Sequence, residues 1–328
     1  MHLLRIDHET KLTYSSPVYE SVIEVRTAPP TLDDQAVLGY KLRVSPPVPV
    51  TAYRDGFGNK VEMFNVLAPC REVVIRSAAC VRVHRNPAAD RAAGMAWSAE
   101  LGHHTDAVEY LRPSPLADDA AGVRAFAASL AFAPATVKDA ADTVMHAVRG
   151  KLDYRKEVTG AYTPVSESLA LGQGVCQDFA HLFIAVARLR GMPARYVSGY
   201  VNQPGELATH AWVQVWAGPG LGWVNLDPTH DRWCGADYVV TAVGRDFGDV
   251  PPNRGVWKGD ADEVITVSVN VQPVDRVPTD LTEPADAPAW SSAAFATAAA
   301  GREKWLSQQN RARAFRQQQS QQQQVGKN

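Results

Sequence analysis

The sequence is sparing in several respects, and each shortage excludes a class of protein. Cysteine is scarce: four in 328 residues, at positions 70, 80, 176 and 234. No spacing among them is of the C-x-x-C kind, so no metal-ligand set is visible. Nor do four thiols in so long a chain make the disulfide framework that staples small secreted domains. An excess of one charge is missing too. The formal net charge of -2 gives no reason to expect nucleic acid or an anionic membrane surface as a partner. No apolar run approaches the length that crosses a bilayer. The first seven residues lack a charged stretch followed by an apolar one, so no secretory signal is visible. The expected compartment is the cytoplasm, where a thiol stays reduced. There is no internal repeat, no acidic loop suited to calcium, and no cofactor is expected.

What remains is organised around Gly174-Val175-Cys176-Gln177-Asp178-Phe179-Ala180-His181. Phe179, Leu182, Phe183, Val186 and Leu189 recur at helical spacing, and Gly191 and Pro193 stop the run. Cys176 therefore stands on the first turn of a helix, where unpaired N–H groups and the macrodipole favour a thiolate. A thiolate is the form of cysteine that attacks carbonyl carbon. A lone cysteine is usually a buried structural thiol, and Cys70, Cys80 and Cys234 are assigned to packing.

A nucleophile needs a base, and the base needs an orienting group. Residues 210–216 and 222–229 both alternate and are rich in Val and Trp, with Gly218-Pro219-Gly220 between them. They read as a hairpin, in which the start of the first strand lies beside the end of the second. His210 and Asp227 sit at those two ends. His181, five residues after Cys176, points roughly 140° away on the helix and is rejected as the base. Gln177 and Asp178 are cleft candidates or simple stabilisers of the helix start, and Trp212 is a cleft-wall or core candidate. The Cys176 N–H is one natural oxyanion donor; Gln173 and Tyr154 are candidates for a second. His230 and Asp231 are candidates for the rim of the cleft, with a solvated loop as the blander and preferred reading.

These motifs, with Gly191-Met192-Pro193-Ala194-Arg195-Tyr196-Val197-Ser198-Gly199-Tyr200 and Asp227-Pro228-Thr229, resemble the bacterial transglutaminase-like superfamily. The resemblance implies a papain-like fold with a Cys-His-Asp triad at Cys176, His210 and Asp227. Arg54-Asp55-Gly56-Phe57-Gly58-Asn59 resembles the Phe-Gly-Asn signature of that family's amino-terminal β domain, with Gly56 where an aromatic is commoner. Gly244-Arg245-Asp246-Phe247 resembles the segment that follows the core.

The fold class expected is α+β. Residues 1–87 read as a β-sandwich of five or six strands (3–12, 18–26, 37–44, 60–67 and 72–83 being clear). Residues 88–150 read as a helical lead-in, with helices at 120–130 and 136–148 and Thr136 as an N-cap. Residues 151–275 form the expected catalytic core, with an irregular approach at 153–171 and strands at 237–243 and 263–271. Residues 276–328 are an Ala/Gln/Arg-rich tail, with a docked or frayed helix at 291–316 and a disordered low-complexity run at 317–324.

The chemistry expected is acyl transfer on a peptide or protein amide, through a thioacyl intermediate. Water as acceptor makes a peptidase or amidase, the first choice; an amine makes a protein-glutamine transamidase. Two readings of other classes stay open: a peptide-binding or assembly module with a silent site, and a metalloprotein using Cys176, His181 and His210.

Overall fold

The computed structural model describes residues 2–84, 88–203 and 209–282. The chain opens with β1 (His2–Val25), whose alternate residues Leu4, Ile6, His8, Thr10, Leu12 and Tyr14 face inward. Two strands were expected here, and one is found. Pro17 lacks an amide hydrogen, but it falls where pairing lapses between Thr13 and Val18, so no ladder bond is lost. A second irregularity between Tyr19 and Val22, with Glu20 at φ 48°, carries β1 out of one sheet and into another.

β2 (Gln35–Ser45), β3 (Val50–Arg54), β4 (Lys60–Val66) and β5 (Cys70–Val83) follow. β3 was not expected; it is five residues long. The first half of β1 pairs with β5, and β5 with β2. The second half pairs with β4, and β4 with β3. The two layers enclose Leu12, Tyr14, Val18, Ile23, Phe64, Val66, Val73 and Ile75.

After α1 (Ala88–Ala93) come α2 (Ala121–Ser129) and α3 (Val137–Lys151). Thr136 caps α3 as expected: its hydroxyl accepts from the Asp139 N–H at 3.1 Å, and the Asp139 carboxylate accepts from the Thr136 N–H at 3.0 Å. Residues 88–150 are not a lead-in, however. Val137, Ala140, Ala141, Val144 and Val148 share one apolar cluster with Phe179, Leu182, Phe183 and Val186 of the helix that begins at Cys176, so α3 is a wall of the core. The approach at 153–171 is also more regular than expected. It holds β6 (Asp153–Tyr154) and α4 (Val165–Leu171), and β6 pairs in parallel with β7 (Gln173–Gly174).

α5 (Cys176–Leu189) is the central helix. It packs on α2, α3 and α4 on one side and on β8 (Ala194–Val201) and β9 (Thr209–Trp216) on the other. Each Leu or Phe it buries fully contributes roughly 1.5–3 kcal/mol. β10 (Trp223–Asp227), β11 (Arg232–Trp233) and β12 (Tyr238–Gly244) complete an antiparallel sheet in the order β11-β10-β9-β8-β12.

The chain then returns. β13 (Asn253–Lys258) and β14 (Glu263–Pro273) both pair with β1, β14 along its first half and β13 along its second. The expected core boundary at 275 is therefore corrected: these strands complete the sandwich, and α6 (Thr279–Thr282) lies against β2 and β5. Alternation in 263–271 reveals a strand but not its partner. The helix expected at 291–316 and the run at 317–324 lie outside the described residues.

Two side-chain amides join the units. Gln35 donates to the Val240 carbonyl at 3.0 Å and accepts from the Val240 N–H at 2.8 Å. Asn59 does the same at Val243, both distances being 2.8 Å. Each amide copies one residue of a neighbouring strand along β12, which is an edge of the core sheet. Asn59 closes the Phe57-Gly58-Asn59 segment singled out in the sequence. Beside this seam, Tyr200 and Val239 pack on Leu4, Ile6 and Val81, and the Tyr200 hydroxyl meets buried His8 Nδ1 at 2.7 Å. Burial lowers the His8 pKa to about 4, so that ring is neutral.

Candidate active site

The loop-to-helix turn that carries Cys176 is fixed by Asp178. Val175, the N-cap, has no side chain able to accept a hydrogen bond, so Asp178 does half of a capping box alone: its Oδ2 accepts from the Val175 N–H at 2.8 Å. The same oxygen accepts from the Thr159 hydroxyl at 2.7 Å, tying the approach loop to the helix start. Asp178 is buried, and burial raises its pKa against the pull of these bonds. It leaves no room for a side chain at 174: a Cβ there would stand 2.5 Å from the Asp178 Cβ. The Gly174-to-Asp178 run is thus one steric unit that sets Cys176 at the first residue of α5, where the leading amides have no partner within the helix.

Opposite stands the hairpin. Trp223 pairs with Trp216 and Leu226 with Val213, which leaves Asp227 diagonal to His210 at the open end. His210 Nε2 donates to Asp227 Oδ2 at 2.7 Å. With Nε2 engaged, Nδ1 is the nitrogen left for Cys176, whose side chain hydrogen-bonds His210. Burial alone would lower the His210 pKa; the bonds to Asp227 and Cys176 outweigh it and raise it to about 10. The imidazolium is the favoured form.

Asp227 is fully buried. Burial would raise its pKa, but hydrogen bonds and charge from His210 and His230 hold it well below the usual carboxylate range. Besides His210, its Oδ2 accepts from His230 Nδ1 at 2.6 Å and from the Tyr238 hydroxyl at 2.7 Å. Its Oδ1 accepts from the backbone N–H groups of Thr229 at 2.8 Å and His230 at 3.3 Å. Trp212 lies behind the base, its ring 6.2 Å from that of His210 and near parallel to it. The indole passes over Gly199, where a Cβ would come within 2.3 Å of it. Its Nε1 donates to Asn225 Oδ1 at 2.9 Å, as does Gln214 Nε2.

The other candidates are less tightly gathered. Gln177 donates to the Ala161 carbonyl at 3.0 Å, on the approach loop. Gln173 and Tyr154 belong to the paired β6 and β7, next to the nucleophile's turn, with Tyr154 opposite Gly174 and its ring half exposed. His181 is wholly buried, accepts from the Phe247 N–H at 3.2 Å, and has its pKa lowered to about 3 by burial and by Arg188. Its ring lies against Tyr196, and among the described residues Cys176, His181 and His210 do not gather as one ligand set.

The bonds that His230 and Tyr238 make to the Asp227 carboxylate were missed. His230 is three residues past Asp227, and the Asx-type turn formed by Asp227 Oδ1 folds it back; an Asp-Pro followed closely by His was the available signal. His210, Asp227 and His230 do bring three metal-type donors within 4.8 Å of one another. Two of those separations are hydrogen-bond lengths, 2.6 and 2.7 Å, shorter than the roughly 3.3 Å between neighbouring ligands on one tetrahedral zinc. The arrangement is a hydrogen-bond network centred on a carboxylate.

Comparison with known proteins places this geometry. The family model of the Transglutaminase-like superfamily matches residues 124–228, and that of the Bacterial transglutaminase-like N-terminal region matches residues 4–82. An uncharacterized protein of Mycobacterium tuberculosis is 33% identical over 301 residues, covering 84% of this chain and 94% of that protein. One from Mycobacterium leprae is 33% identical over 286 residues, covering 82% and 99%. A crystal structure from Cytophaga hutchinsonii, described as that of a candidate cysteine protease, superposes with a TM-score of 0.67 at 19% identity, covering 85% of this chain and 93% of that one. At that identity the likeness speaks to the fold. The chain belongs to the transglutaminase-like superfamily and carries that family's bacterial N-terminal region. No helix among the described residues is long and apolar enough to cross a membrane.

Proposed function

We propose that the protein is a cysteine-dependent acyl-transfer enzyme acting on peptide or side-chain amides. The observation that carries this reading is that His210 joins Asp227 Oδ2, through Nε2 at 2.7 Å, and the Cys176 side chain. In this scheme the His210 imidazolium stabilises a Cys176 thiolate. The thiolate attacks the amide carbon, and the developing oxyanion takes hydrogen bonds from the Cys176 N–H and a second donor, Gln173 or Tyr154. His210 gives its proton to the leaving amine, and a thioacyl-enzyme remains. An incoming acceptor then loses its proton to His210 and displaces the thiolate. Asp227 keeps the ring aligned throughout.

Water as acceptor gives a peptidase or amidase, the reading we favour; a primary amine gives a transamidase. Incubation with a peptide library, with and without a primary amine, separates them by mass spectrometry. Hydrolysed amides support the peptidase, and amine-dependent loss of ammonia supports the transamidase. An unmodified library, together with a Cys176 that ignores amide electrophiles, would leave a silent binding module.

A further inference from the structure

A triad explains one of the hydrogen bonds on Asp227, and four others remain. Oδ1 is taken by two backbone amides of the Asp227–His230 turn. Oδ2 receives Tyr238, His210 and also His230, whose Nδ1 lies 2.6 Å away. The two imidazole rings stand with centroids 5.0 Å apart, tilted 42° to one another, on the same carboxylate oxygen. His210 is almost wholly buried, whereas the His230 side chain keeps 21% of its exposure, so the second ring forms the solvent side of the network.

A carboxylate that merely needed burying has cheaper donors than a second histidine. Two consequences follow from this one. An N–H donor at 2.6 Å stabilises the anion, so Asp227 does not draw the shared proton away from His210 and leaves the ring cationic toward Cys176. The donor also closes the side on which the carboxylate could swing. With the backbone amides on one oxygen and three donors on the other, rotation about the Asp227 side chain would break five bonds together. The ring of His210 inherits that fixity, with Trp212 behind it.

Resting on the acyl-transfer reading above, we propose that His230 is a positioning residue of the site. It acts through Asp227, by donating from Nδ1 to Oδ2, to hold the Cys176–His210 pair in its charged form and in line. Tyr238 supports the same oxygen from the interior.

The test needs no substrate. The rate at which iodoacetamide alkylates Cys176 is followed from pH 5 to pH 9, by mass spectrometry of the peptide that holds it, in the full chain. A thiolate–imidazolium pair keeps that rate high at acid pH, where an ordinary thiol with a pKa near 8.5 is almost wholly protonated. His230→Leu removes the donor; His230→Asn keeps one, because its amide nitrogen falls close to the place of the imidazole Nδ1. The expected result is a rate at pH 6 about tenfold lower in His230→Leu and within about twofold of wild type in His230→Asn, with all proteins meeting at pH 9. His230→Ala stands in for the leucine variant should that fail to fold. A wild-type pH profile in the leucine or alanine variant overturns the proposal and leaves the triad intact. So does an asparagine variant that falls as far as leucine, since the packing of the ring, and not its N–H, would then be what matters. If wild-type Cys176 itself alkylates like an ordinary thiol, the acyl-transfer reading is what fails.

Discussion

The outer ladder of the sandwich and the core sheet treat polar side chains in opposite ways. Where β1 runs between β5 and β14 one face looks outward, and its charges pair on the surface, as Lys11 does with Glu72 and Arg76 with Glu9, whereas Arg26 and Glu24 form a buried pair. The exposed pairs are worth little. The core sheet has almost no outward face: β12 is buried at every residue, and β9 at all but its first. Helix α5 covers one side, while the sandwich and a second apolar cluster around Trp212, Val197 and Tyr238 cover the other. A polar group inside so covered a sheet must find its partner in the protein. Hence the Asn225–Trp212–Gln214 set, the Gln35 and Asn59 seams, and the five donors on Asp227. The site's geometry is a by-product of that double cover. The sandwich provides half of it.

The comparison is broken most severely at the site itself. Cys176→Ala should lower turnover by several orders of magnitude and leave the melting temperature within a degree or two, because Cys176 contributes little to the apolar core. Ordinary activity in that variant would sink the acyl-transfer reading. Asp227→Asn should lower kcat by about 10³–10⁴ through loss of ring orientation, while Cys176 still alkylates above pH 8. An unchanged kcat would point to another orienting group. Asn225 and Asp231 are poor substitutes, the first committed to Trp212 and Gln214 and the second paired with His146 Nδ1 at 2.5 Å.

A cut at the seam should be smaller and of a different kind. Asn59→Ala strands the buried N–H and C=O of Val243 and should cost about 2–3 kcal/mol, measured by urea unfolding, with kcat changed far less than stability. Equal losses in both would mean that the sandwich does more than cover the sheet.

The dependence of stability on pH sharpens the comparison further. The folded-state pKa of His210, raised to about 10, lies above its unfolded value of about 6.5. The stabilisation it brings is complete below about pH 6.5 and fades as pH rises toward 10. Asp227 has a lowered pKa, so its contribution is present above about pH 4 and is lost as pH falls below that. The melting-temperature gap between wild type and His210→Gln should therefore be widest near pH 5–6 and narrow by pH 10; a gap that widens with pH would contradict the ion pair. The smallest effect is expected at the far end of the chain. Removing everything after Arg316 should leave activity and melting temperature unaltered, and covalent oligomers formed only by the full chain would favour the transamidase.

Legibility in the sequence followed the range of the interactions. Cys176 could be read because a glycine-led turn and a 3.6-residue apolar period are local signals. The closeness of His210 to Asp227 followed from hairpin geometry, also local. His230 was misread because its place depends on how the Asp227 carboxylate folds its own turn, which residue types alone leave open. Asn59 stood out as a signature, but its partner is a backbone group of β12, far along the chain. The alternation in β14 told which residues share a face and nothing of the strand beside it. The role of α3 was underestimated for the same reason: its apolar stripe was plain, and the helix it meets was not.

The pairing of β1 with β13 and β14 also has a meaning in time. Leu4 lies against Pro273 and Tyr14 against Glu263, so one edge of the first strand stays open until nearly all of the described chain has been synthesised. The transglutaminase-like core is made, and can begin to pack, while the sandwich is still unfinished. Contacts between such distant segments close slowly, and an open strand edge on a nascent chain is a place for wrong partners. The last strands laid down therefore act as the latch on the first.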